Sequence, residues 1–132
     1  MTRVQIEVPV YSTENPDRVR RALSNIVFGM SFSERIEDNV RYLSGISEGL
    51  DSLSQIQRHL KDQAISTFAR KALTKSTIEA DRIRFYLNKQ AAFMGVVHFC
   101  DSKNESPLGP ITVDIESDDI KSVIDYITGQ KG

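Results

Sequence analysis

Residues 82–87 (RIRFYL) alternate polar and apolar side chains. A period of two is the signature of a β-strand with one buried face and one face in water. Segments 4–10 (VQIEVPV) and 111–116 (ITVDIE) repeat the pattern, although Pro9 cannot donate a hydrogen bond to a neighbouring strand. The chain is therefore predicted to form a sheet with one covered face, with Pro9 beside an edge or a bulge.

A second apolar run, residues 93–99 (FMGVVHF), follows the first after the polar tripeptide Asn88-Lys89-Gln90. Apolar side chains fall on both parities of this run, which is typical of a strand that is buried on both faces. The two runs are predicted to form a hairpin over residues 82–99, with the second strand in the centre of the sheet.

A second hairpin is predicted from residues 30–37 and 40–46. Asp38-Asn39 lies between these segments, and asparagine tolerates the positive φ of a tight turn.

Apolar residues at helical spacing predict the remaining elements. The first helix begins with Asn15 as N-cap and Pro16 at its first position. Residues 50–60 and 65–73 predict two helices, or one kinked helix, with a break near residues 62–64.

The last helix is predicted over residues 120–127. Ser117 or Asp118 would cap its start, and Gly129 would end it.

The resulting order of elements is β-α-β-β-α-α-β-β-β-α. Short connections between strands imply antiparallel pairing, and helices with one apolar stripe imply that they cover one side of the sheet. The sequence thus predicts an α+β fold, a mainly antiparallel sheet with helices packed on one face, as a single domain of residues 1–132.

Charge is balanced overall and unevenly distributed. The formal net charge is -1, yet residues 56–90 hold eight Lys or Arg against three acids, while residues 101–132 hold three against seven. Cys100 is the single cysteine, which excludes an intrachain disulfide and favours a reducing compartment. No apolar run reaches the ~20 residues of a membrane span, and the N-terminal segment has the pattern of a strand, so a cytoplasmic location and no membrane contact are expected.

Motifs that indicate catalysis are lacking in the sequence. It contains neither a phosphate-binding glycine loop nor a GxSxG nucleophile elbow. His98 and Cys100 share a parity, but a zinc site needs three or four protein ligands. A noncatalytic protein without a metal site or cofactor is therefore predicted.

Basic and hydrogen-bonding side chains cluster around the predicted hairpin and the helix before it. Lysine and arginine bind phosphates, and an exposed tyrosine stacks on an unpaired base. The residues predicted to bind RNA are Arg82, Arg84, Tyr86, Asn88, Lys89, Gln90, Arg70, Lys71 and Lys75. An alternative interpretation is that the arginines of 82–87 pair with Asp114 and Glu116 across the sheet.

Several longer segments together resemble an archaeal family of small uncharacterised proteins that is described as predicted RNA-binding, and sometimes as a predicted exosome-associated subunit. The segments are IEVPVYSTENPDRVRRAL, GLDSLSQIQRHLKDQAISTFARKAL, RFYLNKQAAFMGVVHF and ESPLGPITVDIE. The resemblance covers nearly the whole chain, and NKQAA and SPLGPI are its most specific parts. It implies a fold similar to that of the ribosomal protein that binds 5S RNA, and RNA as the partner.

Three functions follow from these patterns. The first is a noncatalytic RNA-binding protein, an accessory of RNA processing or of the ribosome. The second is a protein-interaction module or homodimer that uses an open sheet face or edge, favoured by the nearly neutral net charge. The third is a small enzyme that acts on a phosphorylated ligand, with Lys89 and Gln90 in a pocket closed by the loop 106–110.

Overall fold

The computed structural model describes residues 2–100 and 109–129, and these ranges contain seven strands, five α-helices and one short 3₁₀-helix at Asp51–Leu53. The strands are β1 (Thr2–Val10), β2 (Ser31–Glu37), β3 (Val40–Glu48), β4 (Thr77–Glu79), β5 (Arg82–Leu87), β6 (Phe99–Cys100) and β7 (Ile111–Ser117). The helices are α1 (Pro16–Ile26), α2 (Ser54–Asp62), α3 (Ser66–Lys75), α4 (Lys89–Phe93) and α5 (Ile120–Thr128).

The described strands form one sheet in the order β2-β3-β1-β7-β5-β4, and β6 pairs with β5. Every pair is antiparallel. The predicted α+β class with a mainly antiparallel sheet is therefore confirmed, with β1 and β7 at its centre.

One face of this sheet forms the core. Val4 and Ile6 of β1 lie opposite Ile115 and Val113 of β7, and all four side chains are fully buried. The apolar stripes of α1, α2, α3 and α5 complete the same cluster. The helices thus cover one face, as the sequence predicts, and the alternate residues of each strand are left on an open face.

Several local predictions are confirmed. The Asn15 side chain accepts a hydrogen bond from the Asp17 N–H at 2.9 Å, and α1 starts at Pro16. Asp38 and Asn39 both adopt positive φ in the turn between β2 and β3. α2 and α3 are separate helices, since Ala64 between them has a φ of +58°.

The start of α5 differs from the prediction by a small shift. Asp119 is the N-cap, and its carboxylate accepts a hydrogen bond from the Ser122 N–H at 3.1 Å. Gly129 ends the helix in a left-handed conformation, as predicted.

The predicted central strand over residues 93–99 is wrong. Asn88 caps a short helix, α4, because its side-chain oxygen accepts a hydrogen bond from the Ala91 N–H at 2.8 Å. The tripeptide that looked like a hairpin turn is the cap and first turn of that helix. Of the second run only Phe99 joins the sheet, where it pairs together with Cys100 with the end of β5. The short strand β4 was not predicted.

Side chains rather than a β-ladder hold this segment in place. The Gln63 amide donates to the Val97 carbonyl at 3.0 Å and accepts from the Val97 N–H at 2.9 Å. The Asn25 amide donates to the carbonyls of Ala92 and Phe93 at 3.0 and 3.1 Å. The Asn25 contacts fix the end of α4 against α1, whereas Gln63 holds Val97 at the end of α2.

Pro9 lies where β1 leaves its pairing with β7. That pairing stops at Glu7 and Thr112, while Pro9 still lies opposite Tyr42 of β3. Gly109 approaches Pro9 with a φ of +79°, and a Cβ atom on it would come within 2.6 Å of the proline ring. The rest of the predicted polar loop, residues 101–108, lies outside the described residues.

Candidate nucleic-acid interface

Arg82, Arg84 and Tyr86 lie side by side on the open face of β5, where all three are half-buried. The pairing of β5 with β7 sets Arg82 opposite Glu116 and Arg84 opposite Asp114. The alternation of the sequence therefore predicts correctly which face these side chains occupy.

Both arginines are engaged by the carboxylates of β7. The Arg84 guanidinium contacts Asp114 at 2.8 and 2.9 Å through two of its nitrogens. Arg82 contacts Glu116 at 2.5 Å and Asp114 at 3.4 Å. The hydrogen bond with Glu116 is the main cause of a raised pKa at Arg82. The cross-strand pairing that the sequence left as an alternative is present, and a phosphate would have to compete with it.

The open face as a whole carries no excess of positive charge. Strand alternation and register put Arg3 and Arg35 on it together with the two arginines of β5. Six carboxylates share that face, those of Glu7, Glu37, Glu48, Glu79, Asp114 and Glu116. Arg35 is itself paired with Glu7 at 2.6 Å. A balanced face attracts a polyanion weakly, because affinity for phosphate depends on uncompensated cations.

The structure corrects the expected exposure of Lys89, because its side chain is only 3% exposed. Its ammonium group donates to the Pro9 carbonyl at 2.7 Å and to the two Glu14 carboxylate oxygens at 2.8 and 3.0 Å. Burial lowers the pKa of Lys89, and Glu14 opposes that shift. An ammonium group that is enclosed and hydrogen-bonded in this way does not reach an RNA phosphate.

The neighbours of Lys89 have different environments. Asn88 is half-buried and serves as the cap of α4, whereas Gln90 is exposed. The Gln90 side chain makes no hydrogen bond to any other residue that the structure describes. Of these three residues, Gln90 is the one available to a ligand.

The predicted residues of α3 also divide into two kinds. Arg70 forms an ion pair with the Asp125 carboxylate at 2.7 Å, but the angles of this contact do not meet those of a hydrogen bond. Lys71 and Lys75 are exposed and form no ion pair within residues 2–100 and 109–129. Phe68, which the prediction omitted, lies three residues before Lys71 and is 60% exposed.

A groove of about 530 Å³ opens between the start of α1 and α4. Its polar lining comes from Thr13, Glu14, Asn15, Arg18, Lys89 and Gln90, and its apolar lining from Val19, Ala22, Phe93 and Met94. The concave site expected near Lys89 and Gln90 is therefore present. The part of the closing loop at residues 106–108 lies outside the described residues.

Sequence analysis did not assign the α1 side of this groove to a site. Arg18 is one of three arginines in α1, at positions 18, 20 and 21, and no feature of the sequence distinguishes it from the other two. The Arg18 guanidinium lies 4.5 Å from the centre of the Phe93 ring, and these two residues are 75 positions apart in the sequence. No local pattern indicates such a contact.

Other kinds of site find no support in the described residues. Among them, no group of three or more His, Cys, Asp or Glu side chains is arranged to bind a metal ion. His98 is exposed while Cys100 is buried. No helix in this part of the chain has the length and apolar character needed to cross a membrane.

Comparison with known proteins gives a consistent family. A family model described as RNA binding matches residues 3–117. A UPF0201 protein of Metallosphaera sedula is 39% identical over 127 residues, which cover 96% of this chain and 87% of that protein. A UPF0201 protein of Sulfurisphaera tokodaii is 40% identical over 128 residues, with coverage of 97% and 88%.

A solved structure extends the similarity to the fold. The crystal structure of a UPF0201 protein from Methanococcus jannaschii matches with a TM-score of 0.83 at 29% identity, covering 98% of this chain and 95% of that one. The names of these relatives mention neither an exosome nor a ribosomal protein, so both associations stay predictions. The chain belongs to the UPF0201 family of archaeal proteins, whose family model is described as RNA binding.

Proposed function

We propose that this protein is a noncatalytic RNA-binding protein that contacts RNA with the outer surface of its helices. The family model supports RNA as the partner. One contrast favours the helical side. Lys71 and Lys75 are exposed and form no ion pair with described residues, whereas the arginines of β5 are paired with carboxylates.

The three side chains Phe68, Lys71 and Lys75 form a stripe along α3. Their spacing of three and then four residues puts them on one side of a helix. Lysines at that spacing provide two phosphate contacts, and a phenylalanine ring between them and the start of the helix provides a surface for a base or a ribose.

Phe68 has a fixed support beneath it. Its ring meets the Phe99 ring edge-on, with 6.3 Å between the ring centres, and Phe99 in turn lies 5.8 Å from Phe85 of the core. A ring held in this way loses little conformational freedom when a base stacks on it.

Further cations extend the positive surface of the helical layer. Arg58 and Lys61 of α2 and Arg21 of α1 are exposed and have no ion pair among the described residues. Under this proposal the protein acts in the cytoplasm as an accessory of RNA processing or of the ribosome.

The test is a fluorescence-anisotropy titration with one structured and one unstructured RNA, each at low and near-physiological salt. The double variant Lys71→Glu and Lys75→Glu should weaken binding at least about tenfold and reduce the salt dependence by about one power of the salt concentration per lysine. The matched control is Arg82→Gln with Arg84→Gln, which should bind within about twofold of the unmodified protein because these arginines are already paired.

The opposite pattern would refute the proposed surface. If the β5 variant lost affinity and the α3 variant kept it, RNA would bind the open sheet face as the sequence suggested. If the unmodified protein bound neither RNA at low salt, the RNA-binding function itself would be wrong.

The two rival functions have less support. A protein-interaction module that uses the open sheet face would need an apolar surface there, and that face carries four arginines and six carboxylates. An enzyme acting on a phosphorylated ligand would have a concave site, but Lys89, its expected phosphate ligand, is engaged by Glu14.

A further inference from the structure

We propose that the groove between α1 and α4 binds one unpaired ribonucleotide, with the base stacked on the guanidinium of Arg18. This inference rests on the proposed RNA-binding function and assigns it a second contact, distinct from the α3 stripe. The volume of the groove, about 530 Å³, lies in the range of about 300–1,000 Å³ that is usual for small-ligand sites.

Arg18 and Phe93 provide the stacking surface. The Arg18 guanidinium lies over the phenylalanine ring at 4.5 Å from its centre, and both residues line the groove. Unpaired bases in protein–RNA complexes stack on aromatic rings and on arginine planes. The apolar side chains of Val19, Ala22 and Met94 complete a lining that suits the flat surface of a base.

Two amide side chains can read the edge of that base. Gln90 offers a donor and an acceptor, and neither is used by a described residue. Asn15 uses its oxygen to cap α1 but keeps its amino group to donate. Hydrogen bonding to the edges of splayed bases is how sequence-specific contacts to single-stranded RNA are made.

The charge of the groove suits one phosphodiester group. Glu14 lines the groove, but its carboxylate is neutralised by Lys89 at 2.8 Å. Arg18 also lines the groove and forms no ion pair with a described residue, so it contributes a positive charge that none of them compensates. Arg21, three residues farther along α1, extends the cationic side toward the next phosphate.

The test uses the full-length protein and two RNA hairpins that differ by one unpaired nucleotide in the stem. The bulged hairpin should bind about tenfold more tightly than the fully paired one, which is the size expected for one stacked base. Arg18→Lys, which keeps the charge and removes the plane, should abolish this preference and leave the affinity for the paired hairpin within about twofold. Arg20→Lys is the matched control and should keep the preference, because Arg20 lies on the same helix but is paired with Glu34 and does not line the groove.

A second measurement separates an RNA nucleotide from a free one. NMR spectra with each ribonucleoside 5′-monophosphate should show shifts at Arg18 and Gln90 that ribose 5-phosphate does not cause, because only the former carry a base. Stronger effects with the bulged RNA than with mononucleotides identify RNA as the ligand, and the reverse identifies a free nucleotide.

The outcomes distinguish this proposal from the one it rests on. Salt-sensitive binding of both hairpins, with a bulge preference that Arg18→Lys leaves intact or with no preference at all, would overturn the groove site and leave RNA binding in place. If neither hairpin binds and no nucleotide shifts the groove residues, both proposals are wrong.

Discussion

Replacing Lys89 by methionine removes an ammonium group from the interior and keeps most of the side-chain volume. The change leaves the Glu14 carboxylate, which is 11% exposed, without its cation, and it leaves the Pro9 carbonyl without the Lys89 donor. Because the lysine is enclosed, we expect the variant to lose stability rather than a contact with RNA.

The size of the loss follows from the burial of the pair. Removing one partner of a buried ion pair costs about 3–5 kcal/mol, since the remaining charge is left without compensation. In the variant, the Glu14 carboxylate still accepts a hydrogen bond from the Tyr11 N–H at 3.0 Å, and it is still partly exposed to water. The loss should therefore be near the lower limit, about 3 kcal/mol, which for a chain of this length lowers the Tm by about 10 °C.

The assay is urea denaturation followed by circular dichroism, with RNA affinity measured where each variant is fully folded. The double variant Glu14→Gln with Lys89→Met removes both charges and should recover about 2 kcal/mol relative to Lys89→Met alone. The matched control is Lys71→Met, which should change stability by less than about 0.5 kcal/mol and weaken RNA binding.

One result would refute this reasoning. If Lys89→Met were as stable as the unmodified protein and lost RNA affinity about tenfold, the ammonium group would be a phosphate ligand, as the sequence had suggested.

Two further changes test the backbone near the groove and the start of the last helix. Gly109→Ala should cost about 1–3 kcal/mol, seen as a lower urea midpoint, because alanine is strained at positive φ and its Cβ would meet the rigid ring of Pro9; an unchanged midpoint would contradict the close approach. Asp119 has a lowered pKa because Ser122 hydrogen-bonds its carboxylate. Its stabilising effect, measured against Asp119→Asn, should be constant above pH 3.8 and shrink as the pH falls through the lowered pKa, and a difference that did not change with pH would contradict it.

The elements that sequence analysis predicted correctly are those whose structure is fixed by neighbouring residues. Asn15 caps α1 because its side-chain oxygen accepts a hydrogen bond from the backbone of the first turn. Pro16 suits the first helical position because its φ is already helical. Asp38 and Asn39 adopt the positive φ that their side chains tolerate. The pairing of β5 with the carboxylates of β7 was also accessible, as one of two alternatives, because alternation decides which side chains share a face.

The wrong prediction over residues 93–99 has a physical cause. A helix of five residues is too short to display a period of 3.6, so the apolar run after Asn88 resembles a buried strand. What decides the conformation is the cap at Asn88 together with the Gln63 side chain, which bonds both polar groups of Val97. Gln63 is 34 residues away, beyond the reach of any local pattern.

The burial of Lys89 was not predicted, for a related reason. A lysine in a polar tripeptide looks exposed, and only the fold brings Glu14, 75 residues away, against it. The same distance separates Arg18 from Phe93. Whether a charged group is buried or paired depends on the folded structure, whereas the sequence shows only which charged groups the chain contains.

The position of β7 in the sheet has a consequence for how the molecule is made. Among the described strands, β7 alone joins β1 to β5. The three strands β1, β3 and β2 therefore have no pairing with β5, β4 and β6 until β7 enters between the two groups. Thr2 then meets Ser117, a closure across 115 positions of chain, and contacts of such long range slow folding. During synthesis, the edges of these two groups of strands stay unpaired until residues 111–117 leave the ribosome. Unpaired strand edges are sites where aggregation begins.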